Sequence, residues 1–108
     1  MITLDDLHLC AAMRRSIDGD RDFMIRMQTS GLPVPRTLKQ DIAARKAAYS
    51  AHVHAVENII GQLLDGRHLR IMRLYFIEGK TMTETATASG HSRARCHELL
   101  HEALELVL

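Results

Sequence analysis

The chain has 108 residues, of which 46% are hydrophobic and 25% charged, with a formal net charge of +1. That length suits one compact domain or a small domain with a helical appendage, and the composition is ordinary for a folded protein. No apolar run approaches the ~20 residues of a membrane span, and so small a net charge excludes a large phosphate footprint. Acidic residues in MITLDDLHLC stand where a secretory signal would carry basic ones, which predicts a cytoplasmic protein with no membrane partner. Cys10 and Cys96 are far apart and unpatterned, so both read as reduced, buried, small apolar residues. Only two prolines and six glycines interrupt a chain rich in Ala, Leu, Met, Arg and Glu, a mixture that favours helix over sheet.

Residues 3–28 read as a first helix. Thr3 and Asp6 have capping-box spacing, with Asp in place of the usual Glu. Cys10, Met13, Ile17, Asp20, Met24 and Met27 alternate by three and four, a seam with one polar member. Gly19 weakens this helix, and a bend or break is expected near Asp18-Gly19-Asp20. The stretch TSGLPVPR, residues 29–36, ends the helix. A second helix follows from about Thr37 to Leu64, with Ile42, Arg45, Tyr49, His52, Val56, Ile59 and Leu63 on its seam. Asp65-Gly66 stops it, with Gly66 as a left-handed cap.

Two long helices joined by a short loop should fold back as an antiparallel hairpin. Folding about residues 32–33 sets Asp20 opposite Arg45, the one acid and the one base in the two seams. Their pairing would fix the register; the alternative is that both point outward from an imperfect seam.

Residues 67–108 read as three short helices. Arg67 to Ile77 offers Leu69, Met72, Tyr75 and Phe76 as an apolar face and ends at Glu78-Gly79-Lys80. Thr81 and Glu84 form a capping box for a helix reaching about Ser89. Gly90-His91 is the turn, and Ser92 caps a last helix from Arg93 toward Leu108. A short helix, a glycine turn and a capped second helix form a helix-turn-helix pattern. The expected fold is all-α: an N-terminal helical hairpin over 1–66, serving as a dimerisation or partner-binding arm, then a three-helix DNA-binding unit over 67–108.

From Ile71 onward the sequence resembles the fourth region of bacterial sigma factors. It resembles still more closely the C-terminal module of small phage transcriptional regulators of the ArpU/RinA type. Tyr75, Phe76, Glu78, Gly79, Thr81, Glu84, Ala86, Gly90, Ser92, Ala103 and Leu104 carry the likeness over about forty residues without a gap. The resemblance implies a sigma-like regulator of phage or prophage origin whose recognition helix begins at Arg93. It places Arg93, Ala94, His97 and Glu98 toward bases and Arg95 at the backbone. Arg93 would grip guanine in bidentate fashion, and Glu98 would accept from a cytosine amino group. Ser92, His91, Lys80 and His101 complete the expected DNA-contacting set. Thr85 and Cys96 depart from the family in being small, and Glu98, Glu102 and Glu105 make the distal helix acidic.

The implied partners are double-stranded DNA, RNA polymerase and a second copy of the chain. The charge must act locally, because residues 1–66 carry eight Lys/Arg against eight Asp/Glu and residues 67–108 carry six against five. Arg67, Arg70 and Arg73 read equally as a solvated face or as phosphate contacts.

His97-Glu98-Leu99-Leu100-His101 also matches H-E-x-x-H, the zinc hydrolase signature. Such a site needs a third ligand and an open position, and no strand-rich segment precedes this helix to bind substrate. The longer pattern already accounts for Cys96, Leu99, Ala103 and Leu104. The leading expectation is therefore a DNA-binding regulator with no catalytic residues, metal or cofactor; the alternatives are a protein–protein module that binds RNA polymerase or another host factor through the same fold, and a zinc metalloprotein using residues 97–101.

Overall fold

The computed structural model describes residues 2–108 and contains helices with no strand among those residues. Helices α1 (Leu4–Thr29) and α2 (Arg36–Leu63) are followed by α3 (Gly66–Met72), which runs into a π-helical turn over Arg73–Ile77. Helices α4 (Met82–Ser89) and α5 (Arg93–Val107) complete the chain.

The ends of α1 follow from its sequence. Thr3 and Asp6 form the reciprocal box: the Thr3 amide donates to Asp6 Oδ2 at 2.9 Å, and the Asp6 amide donates to Thr3 Oγ1 at 3.2 Å. No break occurs at Asp18-Gly19-Asp20; α1 passes through it as continuous helix. Arg14 bonds Asp18 one turn on at 3.3 Å, and Asp20 is held from the facing helix, so both acids are engaged where the glycine weakens the chain.

α1 and α2 pack side by side and run in opposite directions. The predicted seam pair is present. Arg45 reaches Asp20 Oδ2 through Nε at 2.7 Å and Nη2 at 2.6 Å. Nearer the core, His52 Nε2 donates to the Asp6 carbonyl at 2.9 Å. The Tyr49 hydroxyl donates to the Ile77 carbonyl at 2.6 Å, which ties α2 to the π turn.

Gly66 has the positive φ expected of it, +51°, but stands at the start of α3, because Leu64 and Asp65 are already extended. The apolar face of the third segment also differs from the simple helical expectation. Ile71, Met72, Leu74, Phe76 and Ile77 are buried, while Leu69 and Tyr75 are only partly so. Ile71 and Leu69 lie in α3 itself, ahead of a π turn that the Glu78 amide closes by donating to the Arg73 carbonyl at 2.8 Å. Within that turn the wider spacing re-aims the side chains, and Leu74, Phe76 and Ile77 are all buried.

One hydrophobic core gathers Leu7 and Cys10 from α1, Val56 and Ile60 from α2, and Ile71, Phe76, Cys96, Leu99 and Ala103 from the C-terminal segment. The buried residues on both sides of Gly66 thus belong to a single cluster. Burial pushes the Cys10 thiol up to about 11, aided by the nearby Asp6 carboxylate, and keeps it a neutral packing group. Gly79 lies against α1. Its φ is +67°, and a Cβ there would meet the Ala11 carbonyl oxygen at 3.2 Å. Beyond this core the paired helices project outward: between residues 12 and 52 only Ile17 and Ile42 are buried.

Candidate nucleic-acid interface

The site is built from α4, the Gly90 turn and α5. Both halves of the α4 capping box are made, with the Thr81 amide donating to Glu84 Oε1 at 2.9 Å and the Glu84 amide to Thr81 Oγ1 at 3.1 Å. These bonds hold the Glu84 carboxyl below its usual range. Gly90, at φ +77°, closes α4 through its amide and the Ala86 carbonyl. The Ser92 hydroxyl then accepts from the Arg95 amide at 3.1 Å and opens α5.

Small side chains bring the two helices together. Thr85 is fully buried, with its hydroxyl donating to the Thr81 carbonyl at 2.8 Å. Cys96 is also fully buried, 3.5 Å from Ser89 Oγ. Thr85 from α4 and Cys96 from α5 thus both contribute little volume to the buried side of this helix pair.

α5 divides cleanly. Cys96, Leu99, Leu100, Ala103 and Val107 are buried, while Arg93, Ala94, His97, Glu98 and His101 face outward. Ser92 is exposed at the cap; His91, Lys80 and Arg95 are partly exposed. The amino end of α5 is thus uncovered, and its first free amides add a positive dipole end.

The charges on this face are not equivalent. Arg95 Nη1 bonds Glu98 Oε2 at 2.8 Å and lies 3.8 Å from Glu102 Oε1. Glu102 also meets His68 Nε2 at 2.7 Å, and this bond, reinforced by Arg95, draws its carboxyl below the usual range. His101 Nε2 sits 3.1 Å from Glu105. Among the described residues no ion pair holds Arg93, His97 or Lys80.

The sequence reading sent Arg95 to the DNA backbone and Glu98 to a base and missed the bond between them, although a spacing of three on a helix permits it. His68 was missed as a partner of Glu102 because it joins from α3, far away in sequence. The basic residues of the third segment divide by environment. Arg73 binds Glu57 with two parallel bonds of 2.9 and 2.8 Å, which pushes its pKa upward. Arg70 donates to the Ala88 carbonyl at 2.9 Å, a cation at the C-terminal end of α4. Arg67 remains exposed.

His97 and His101 share the outer face of α5, as H-E-x-x-H requires, but Glu98 between them is bonded to Arg95. Among the described residues, no group of three His, Cys, Asp or Glu side chains is placed to hold a metal ion. Nor is any helix long and apolar enough to cross a membrane, among those residues. Comparison of the chain with protein-family models, curated proteins and solved structures finds no match.

Proposed function

We propose that this protein binds duplex DNA as a sequence-specific transcriptional regulator, with α4 and α5 working as a helix-turn-helix on a helical-hairpin base. One observation carries the proposal. The capped amino end of α5 is solvent-facing and polar, while its opposite face is packed into the core. A recognition helix needs that division, because its first two turns must reach base edges in the major groove.

Within this reading the residues take separate roles. Arg93 is the base-contacting cation, since no carboxylate holds it. His97 lies one turn on along the same face. Arg95 is restrained by Glu98 and Glu102, and so positions Glu98 rather than reaching for phosphate. Lys80 and the exposed Arg67 supply backbone contacts. So few backbone contacts give a shallow salt dependence, with a log–log slope of about −2 per bound unit. A sigma-like regulator of phage or prophage origin, acting as a homodimer on half-sites one helical turn apart, fits this limited footprint.

The test is a mobility shift on the DNA upstream of the protein's own gene, followed by selection from random duplexes. Arg93→Ala should cost about 1–3 kcal/mol of binding and relax preference at one base pair. Absence of a shift on any fragment at low salt refutes DNA reading.

The outward acids Glu98, Glu102 and Glu105 favour a second role, contact with RNA polymerase through the same fold. Polymerase retention by a protein that shifts no DNA would establish that role in place of the first.

A further inference from the structure

The outer halves of α1 and α2 carry a feature that DNA binding does not use. Residues 12–52 contribute only Ile17 and Ile42 to the buried set, although Phe23, Met24, Ile25, Met27 and Leu32 lie in the same span. Phe23 is 48% exposed, Ile25 52% and Leu32 56%. Two helices with so little buried between them gain little from their own packing, since helical stability in proteins comes chiefly from burying an apolar face. An open groove of about 240 Å³ runs along this pair. Met24, Ile42 and Ala43 line it together with the cations Arg21, Lys39 and Lys46.

We propose that this groove docks an acidic amphipathic helix from a partner protein. The charge decides the class of occupant. Residues 20–48 hold six Lys/Arg and three Asp/Glu, a net of +3 in a chain whose total is +1. Arg45 is committed to Asp20, whereas no ion pair holds Arg21, Lys39 or Lys46 among the described residues. A second copy meeting this surface symmetrically would set like charge against like charge. Nucleic acid would use the cations but leave the apolar lining uncovered.

The spacing specifies the partner further. Lys39 and Lys46 lie two turns apart on α2, a rise of about 10.5 Å, with Ile42 and Ala43 between them. A helix lying alongside matches this with Glu at i and i+7 and leucines at i+3 and i+4. This is the helix-in-groove mode of recognition, with charge setting the register. The proposal stands apart from DNA reading by α5, and either can fail without the other.

The test uses the full chain and a labelled peptide of about 18 residues with that Glu/Leu pattern, followed by fluorescence anisotropy. A second peptide replaces each Glu by Lys. Saturable binding of the acidic peptide alone is expected. Lys39→Glu with Lys46→Glu should weaken it about tenfold, from two reversed solvent-exposed ion pairs. Met24→Ser, at a half-buried position, should weaken it severalfold with the helical circular dichroism unchanged. Any one of four results overturns the proposal: no saturable binding, equal binding of the lysine peptide, indifference to the charge reversals, or displacement of the peptide by duplex DNA. Self-association abolished by Met24→Ser would assign the groove to a second copy instead.

Discussion

Alanine in place of Gly79 and in place of Gly19 should move stability in opposite directions. Gly79 has φ +67°, and an added Cβ would lie 3.2 Å from the Ala11 carbonyl oxygen, with Arg14 Cβ also at 3.6 Å. A left-handed conformation costs an L-residue about 1–2 kcal/mol. The nearest atom is helix backbone, which cannot rotate aside, so α1 must shift and the cost rises above the conformational term alone. Gly19 sits inside α1, with nothing within 4 Å of a built Cβ. Alanine there removes unfolded-state freedom and should stabilise by about 0.5–1 kcal/mol. The two variants should therefore differ by about 2–3 kcal/mol. Urea unfolding followed by circular dichroism at 222 nm measures both, with equal m-values confirming the same transition. In thermal melts the gap corresponds to roughly 10–20 °C for a domain of this size. Equal or same-signed effects would refute the close approach of the Gly79 turn to α1.

Two further predictions concern charge. In a double-mutant cycle on Asp20→Asn and Arg45→Met, the coupling should be about 0.5–1 kcal/mol, small because the side chains are 24% and 42% exposed; zero coupling would remove the register role. The Glu84 carboxyl is held below its usual range by the Thr81 amide and hydroxyl. A depressed folded pKa means stability that is present above about pH 4 and lost as pH falls through the folded value. Wild type should therefore exceed Glu84→Gln in urea midpoint at pH 7, and the gap should close in acid; a gap unchanged at pH 3 would contradict the capping bond.

Much of the architecture could be read from local chemistry. The capping boxes at Thr3 and Thr81, the Ser92 cap, the Gly90 turn and the proline-bounded loop each act within a few residues, so composition and spacing suffice to place them. The short loop put Asp20 opposite Arg45, because it leaves an antiparallel pair little freedom of register, but the sequence left open whether the two meet or point outward. The outward face of α5 followed from its apolar periodicity, which put Cys96 and Leu99 inside and Arg93 and His97 outside.

Other features depended on contacts between distant segments. The π turn at Arg73–Ile77 has no local signature; packing against α1 and the Tyr49 bond to Ile77 stabilise an extra residue that helical propensity would reject. The engagement of Glu102 by His68 needed α3 and α5 side by side. The unity of the core across Gly66 needed α1 to lie on the C-terminal helices, a placement set by surfaces brought together over the length of the chain. Local spacing assigns a residue to a face, but only the assembled neighbours determine which of its charges remains free to meet a partner.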